Sequence, residues 1–229
     1  MSIKSNNKIS IIIPVYNEAS TIDELMTSLN KFKDNSEIIF VDGGSSDQTM
    51  EIVQEKYRIV KSPKKGRSNQ MNHGATLSKD NILLFLHADT FLPDDALGQI
   101  NRIMSQGFKV GCFKIKFDSR VFLMKICGFM SNTRVKLRNI SFGDQTLYID
   151  RDYFYQLGGF SDLPLMEDYQ LSMDIKADGE KIALANSKVT TSERRFLENG
   201  RLKTMARMQK LQHMYRKGVD IEVIAKMYK

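Results

Sequence analysis

Through the first hundred residues the chain alternates two hydrophobic rhythms. Short apolar runs, Ile9-Ser-Ile-Ile-Ile-Pro-Val15, Glu37-Ile-Ile-Phe-Val-Asp42 and Ile82-Leu-Leu-Phe-Leu-His-Ala-Asp89, have the length and content of strands buried on both faces. Between them apolar residues recur at three- and four-residue steps, which places them on one face of a helix. Ile22, Leu25, Met26, Leu29 and Phe32 make the first such face, and Ser20 and Thr21, three residues ahead of Asp23 and Glu24, are a capping-box signature of its start. Asp47 or Ser46 can cap a second helix whose buried face is Met50, Ile52, Val53 and Tyr57. A short strand near Ile59-Val60, a basic loop and a helix around Asn69 to Leu77 lead to the third run. A further helix, Pro93 to Gln106, turns Leu97, Ile100, Ile103 and Met104 inward. Repeated β-α units of this kind predict an α/β fold with a mostly parallel central sheet and right-handed crossovers.

Beyond residue 110 the rhythm loosens. Phe113, Ile115 and Phe117 alternate with Lys114 and Lys116, the pattern of a strand with one wet face. Residues 120 to 138 form an apolar and basic helical segment. Thr146 to Ile149 reads as a short strand, Arg151 to Leu157 as a short helix stopped by Gly158-Gly159-Phe160, and Met166 to Ala177 as a helix whose first turn holds Glu167 and Asp168. Ile182 to Ala185 and Val189 to Thr191 suggest a last strand or a hairpin. Leu202, Met205, Met208, Leu211 and Met214 recur at helical spacing among basic residues. That pattern suits a terminal helix packed on the core, or one lying on a membrane surface and reaching a lipid-linked acceptor.

Composition narrows the class without fixing it. Apolar residues are 41% and charged residues 27% of 229, ordinary for a globular chain. The polar start, Met1 to Lys8, does not read as a secretory signal, and no apolar stretch reaches the roughly 18 to 20 residues that span a bilayer. Cys112 and Cys127 make neither a disulfide framework nor a metal-ligand spacing, which fits a reducing cytoplasm. The net charge of +7 suits an anionic partner, a diphosphate or a phospholipid surface. Nucleic acid is disfavoured, because no basic tract is interleaved with aromatics and no DNA-binding spacing appears.

Candidate chemistry begins with two acids. Asp42 and Asp89 close their apolar runs, so each emerges at the carboxyl edge of the sheet, where open α/β folds bind ligands. A carboxylate there can hold a nucleotide or a metal ion, or simply build an Asx turn. Asp47 carries the same alternative more strongly, as a helix cap. Neither a Gly-x-Gly-x-x-Gly fingerprint nor a glycine-rich, arginine-containing loop follows the first strand, which argues against dinucleotide binding and nucleotidyl transfer.

Four blocks in order, Pro14-Val-Tyr-Asn-Glu18, Asp42-Gly-Gly-Ser-Ser-Asp-Gln-Thr49, an Asp ending an apolar strand, and Glu167-Asp168, resemble the family 2 inverting glycosyltransferases of the GT-A fold over about residues 8 to 196. Finer wording, Gly66 to Gly74, Phe85 to Thr90, Gly143-Asp-Gln145, Pro164 to Asp168 and Thr191 to Phe196, is similar to a small soluble bacterial subgroup, some members of which are linked by name to arsenosugar biosynthesis. The resemblance implies a Rossmann-like GT-A domain over 1–196, with a nucleotide half (1–110) and an acceptor half (111–196), followed by a helical extension over 197–229. It implies a uridine or guanosine diphosphate sugar as donor, an unidentified acceptor, and Mg²⁺ or Mn²⁺.

The same resemblance distributes roles. Pro14, Tyr16, Glu18 and Asp42 line the nucleotide pocket, with Asp42 accepting from the base. Asp89 matches the second acid of the family's Asp-x-Asp motif and is the metal ligand, and Ala88 stands between it and His87. His87 replaces the first acid; an imidazole can ligate Mn²⁺, bond the ribose, or simply pack at the strand end. Arg67, Asn72 and Arg195 fall to the donor, with Arg67 and Arg195 reaching its diphosphate. Asp168 is the general base, raised by a like charge or lowered by the helix N-terminus, and Glu167 orients it. Gly159 and Phe160 face the acceptor side, and Asp144 and Gln145 touch donor sugar or acceptor, or only build the turn before a strand. Thr191-Ser-Glu-Arg-Arg-Phe196 is a reduced form of the Gln-x-x-Arg-Trp motif of processive members, so a single transfer is expected. The alternative is a nucleotide-sugar binding protein without turnover.

Overall fold

The computed structural model describes residues 8–228, so most of the polar start lies outside the described residues. Its strands are β1 (Ile9–Val15), β2 (Ser36–Asp42), β3 (Arg58–Lys61), β4 (Ile82–Phe85), β5 (Thr90–Phe91), β6 (Val110–Phe117), β7 (Leu147–Asp150) and β8 (Ala183–Thr191). They form one sheet in the order β3-β2-β1-β4-β7-β6-β8-β5. The helices are α1 (Ile22–Leu29), α2 (Thr49–Gln54), α3 (Arg67–Leu77), α4 (Ala96–Met104), α5 (Phe122–Arg138), α6 (Arg151–Gln156), α7 (Glu167–Ala177), α8 (Arg194–Asn199), α9 (Arg201–Arg216) and α10 (Ile221–Tyr228).

The two-sided burial read from β1 is what builds the layers. Ile9, Ile11 and Ile13 point into one core with Leu25, Met26 and Leu29 of α1, Val53 of α2 and Ile100 of α4. Ile12, between them, points into a second core with Met71 and Ala75 of α3, Val135 of α5, Phe154 of α6 and Leu171 of α7. Alternating side chains along a strand face opposite ways, so a run apolar at every position needs a helix layer on each side. Gly74 sets the closeness of α3: a Cβ there would stand 2.4 Å from Ile12 Cγ2. Full burial of side chains such as Leu25 or Ile100 stabilises by roughly 1.5–3 kcal/mol each.

The parallel expectation holds for half of the sheet. β3, β2, β1 and β4 are mutually parallel, as is the pair β6 and β8. β7 runs antiparallel to both β4 and β6, and β5 antiparallel to β8. An apolar pattern is the same read in either direction, so the sequence could not show that α5 and the turn after it deliver β7 backwards between β4 and β6. The last strand is one strand, not a hairpin. The capping box ahead of α1 is also absent: Thr21 sits at the N-cap, but its hydroxyl donates to Glu18.

The C-terminal helices pack on the core along part of their length. Leu211 and Ile224 are fully buried in a third cluster with Ile140, Leu165, Met166 and Tyr169, and Met214 packs against it. Tyr215 Oη donates to Gln170 Oε1 of α7. The first turns of α9 behave otherwise, with Leu202 69% exposed. Among the described residues no helix is long and apolar enough to cross a membrane.

Candidate active site

The carboxyl ends of β1 and β2 are tied together from below. Gln70 Nε2 of α3 donates to the carbonyls of Val15 (2.8 Å) and Val41 (2.7 Å). Asp42, fully buried, accepts from the backbone N–H of Gly44 at 2.8 Å and of Ser45 at 3.1 Å. It thus builds the Asx turn, and a carboxylate's further lone pairs remain for a ligand. Asp47 accepts from the hydroxyl and N–H of Thr49 and from the N–H of Ala19, and the Thr49 hydroxyl above all holds it below its ordinary range. Pro14 is buried in β1, Tyr16 is 54% exposed beside it, and Glu18 accepts from Thr21 and lies 3.5 Å from Arg194. Tyr16 and Glu18 thus stand at the surface beside the buried Asp42 turn, while Pro14 lies within the sheet.

β4 ends at Phe85, four residues before Asp89. The chain continues along β1, with the Leu86 N–H donating to the Ile12 carbonyl, and the Asp89 backbone carbonyl then accepts from the Ser192 N–H at 3.0 Å. The Thr90 and Thr191 hydroxyls bond at 3.0 Å across the β5–β8 pair. This short pair, unread in the sequence, carries the Thr191 to Phe196 segment to Asp89.

A second group of residues surrounds Asp168. Its Oδ2 accepts from the Gly143 N–H at 3.0 Å and lies 3.7 Å from the Arg67 guanidinium. Arg67 Nε donates directly to Glu167, whose side chain is 2% exposed. Burial, then the Glu167 charge, push the Asp168 carboxyl up to about 7, against the opposing pull of Arg67 and the Gly143 N–H. Burial disfavours the Arg67 cation, yet the two acids outweigh it and raise its affinity for the proton. Of the two directions expected for Asp168, burial and the Glu167 charge thus give the upward one. Met166 enters α7 in the left-handed region at φ 69°, which turns Glu167 and Asp168 toward α3 and Gly143.

His87 belongs to this group. A Cβ on Gly143 would meet its Nε2 at 2.2 Å and Asp168 Oδ2 at 2.7 Å, so only glycine lets the three approach. His87 Nε2 is buried and unpartnered. Burial, then the charges of Arg67 and Arg195, hold it well below its ordinary range, so the imidazole is neutral. Asp144 also has a buried, unpartnered oxygen. Burial raises its pKa, Arg134 opposes, and Asp89 adds to the rise, so the two carboxylates are close enough to interact. Arg195 is exposed, lies over the Tyr228 ring at 5.1 Å, and its charge reaches both His87 and Asp144.

Several assignments change. Asn72 clamps the Phe160 turn, donating to its carbonyl at 2.8 Å and accepting from its N–H at 2.9 Å, so those bonds serve the fold and not a donor. Phe160 itself is 3% exposed and packs on Phe85 at 4.8 Å; Gly159 beside it is buried, with φ 76°. Both serve the core, because the Gly158-Gly159 turn folds inward. Gln145, fully buried, accepts from Arg134 at 2.8 Å and cannot face an acceptor. Arg67 binds the acids of α7 here, not an open phosphate site. The roles of Gly143 and Arg134 were not legible; the only signal was the Gly143-Asp-Gln145 wording.

A divalent cation fits part of this arrangement. No group of three or more His, Cys, Asp or Glu is placed to hold a metal among the described residues. Asp89 and the unsatisfied Asp144 oxygen supply instead the one or two carboxylates of a cation completed by substrate phosphates. His87 turns its Nε2 against Gly143 and Asp168, which weakens its pairing with Asp89 as a ligand.

Residues 10–157 match the model of Glycosyl transferase family 2. The chain is 29% identical to a probable glycosyltransferase YdaM of Bacillus subtilis over 216 residues, covering 82% of this chain and 51% of that one. It is 32% identical to a poly-beta-1,6-N-acetyl-D-glucosamine synthase of Staphylococcus epidermidis over 95 residues, 38% of this chain and 23% of that one. The chain thus spans at most about half of these curated relatives. Among solved structures it resembles a mannosyltransferase of Pyrobaculum calidifontis in complex with GDP-Man and Mn²⁺, with TM-score 0.70 and 18% identity over 97% of this chain and 69% of that one. It also resembles TarS of S. aureus in complex with UDP-GlcNAc, with TM-score 0.66 and 19% identity over 82% of this chain and 59% of that one. These likenesses show the GT-A fold expected from the sequence. Together with the sheet-edge acids and the Glu167–Asp168 pair, the match establishes that this chain belongs to glycosyl transferase family 2.

Proposed function

We propose that the chain moves a sugar from a uridine or guanosine diphosphate sugar to a hydroxyl acceptor, with inversion and with Asp168 as general base. The observation that carries this reading is the state of Asp168: buried, aimed by the Gly143 N–H, flanked by Glu167 and Arg67, and raised to about 7. A base poised near the working pH is half ready to take a proton and strong enough to hold it. Arg67 donates to Glu167 and lies 3.7 Å from Asp168, so its cation screens the repulsion between the two acids and positions the base. The neutral His87 ring packs against the same centre and helps exclude water. Tyr16, Glu18 and Asp42 form the nucleotide rim, supported by nucleotide complexes of similarly folded proteins.

A Mg²⁺ or Mn²⁺ ion held by Asp89, with Asp144 beside it, would neutralise charge gathering on the leaving diphosphate. The relative solved with GDP-Man and Mn²⁺ supports that assignment. Calorimetry with UDP and GDP, with and without Mn²⁺, tests it. Asp89→Ala is expected to lose the metal-dependent part of binding; binding equal to the parent would remove Asp89 from the metal site. Nucleotide binding without any donor consumption by the parent protein would instead favour a binding protein without turnover, and consumption that Asp168→Asn leaves unchanged would remove Asp168 as the base.

A further inference from the structure

A cavity of about 560 Å³ lies between α5 and α9, within the size range of small-molecule sites. Phe129, Met130 and Leu137 of α5 and Leu202, Met205 and Met208 of α9 form its walls. Its floor includes Asp144 and Phe142, with the Arg134 guanidinium 4.1 Å from the Phe142 ring centre. Asp144 has a buried oxygen without a partner and follows Gly143, whose N–H holds Asp168. The inner end of an apolar cavity therefore adjoins the proposed proton acceptor.

Its outer rim is the most exposed apolar surface of the molecule's second half. Phe122 is 73%, Phe129 71%, Leu137 79% and Leu202 69% exposed. On α5, Phe122, Ile126, Phe129, Met130 and Leu137 fall on one helical face, while Met124, Gly128 and Val135 face the body. Clustered exposure of this kind marks a contact surface, unlike scattered single residues. The charge around it has one sign: neither α5 nor α9 contains an Asp or Glu. Lys125, Lys136, Arg138, Lys203 and Lys210 are exposed, and none has an ion-pair partner among the described residues. An apolar stripe fringed by unpaired cations complements an anionic bilayer surface.

We propose that the acceptor is a membrane lipid with a neutral hydroxyl head, its chain lying in the α5–α9 cavity while the α5 stripe rests on the bilayer. The proposal rests on the sugar-transfer reading and names its acceptor class. The head is a hydroxyl because the proposed base has a proton to take only from a neutral acceptor, a phosphate head being already ionised, and because Asp144 at the inner end supplies a carboxylate oxygen without a partner. The acceptor oxygen bonds to the anomeric carbon as the bond from that carbon to the diphosphate oxygen breaks. The electron pair leaves with the diphosphate and the hydroxyl proton passes to Asp168.

The probes are dodecylglycerol and dodecyl phosphate below their micelle concentrations, with methyl-labelled methionine read by NMR. Dodecylglycerol is expected to shift Met130, Met205 and Met208 while sparing core Met71, and Ala206→Trp, which narrows the mouth, is expected to abolish the shifts. Dodecyl phosphate is expected to bind about tenfold more weakly. Vesicles of phosphatidylcholine with phosphatidylglycerol should retain the protein, and the double change Phe122→Glu, Phe129→Glu should lower the bound fraction about fivefold or more. Absence of cavity shifts, stronger binding of the phosphate, or absence of vesicle binding would overturn the proposal. So would burial of the stripe in a self-dimer, seen as concentration-dependent sedimentation lost in the same double variant. UDP and GDP calorimetry on each variant separates this failure from failure of the transferase reading: nucleotide binding intact with no cavity shifts removes only the lipid acceptor.

Discussion

Asp168 carries two consequences of one environment. Its folded-state affinity for a proton lies above the ordinary value of 3.8, at about 7. The folded state therefore holds an extra proton between those limits, and stability is greatest below the window and falls as pH rises through it. Catalysis runs the other way, because a base must be unprotonated; kcat/KM should climb through pH 7. Asp168→Asn removes the buried charge and should raise stability at pH 8 by roughly 1–2 kcal/mol in thermal unfolding, while cutting turnover about 10²–10⁴-fold. Unchanged stability at pH 8 would show that the carboxylate is not strained. Gly143 is the other residue where one atom decides the outcome. Gly143→Ala drives a methyl into His87 Nε2 and Asp168 Oδ2, and a shift of about 1 Å at the base should lower kcat about 10²-fold. Nucleotide binding by calorimetry should stay as it was.

Among the elements, helix α3 does three jobs along one length. Gly74 admits it close to β1, Gln70 ties β1 to β2, and Asn72 clamps the Phe160 turn. Asn72→Ala would leave a buried N–H and carbonyl of Phe160 without partners, and a loss of about 2–3 kcal/mol is expected in urea denaturation. Retention of full stability would mean that water replaces the amide. The existence of α3 was legible from its spacing, but not the work of its polar residues. Asn72 read as a donor contact because a polar residue near a sheet edge looks the same whether it meets a ligand or a carbonyl.

At the scale of the molecule, the C-terminal helices buttress the base. Leu211 and Ile224 pack with Met166 and Tyr169, which bracket Glu167 and Asp168 on α7. Leu211→Ala should cost about 2–5 kcal/mol and should also lower kcat, since the cavity it leaves loosens the residue that turns α7 into the site. A variant destabilised in denaturant yet unchanged in kcat would confine the helix to a structural role.

The sequence by itself determined the helices and the longer strands of residues 9–106, the two-sided burial of β1, β2 and β4, and the position of Asp42 at the end of β2. Those follow from local periodicity, which the chain carries whatever its surroundings. Strand direction in the second half, the Arg67–Glu167 pairing, the inward turn of Phe160 and the meeting of Gly143, His87 and Asp168 were decided only by tertiary structure. Each depends on residues dozens of positions apart being brought within a few ångströms, and no local pattern records that distance.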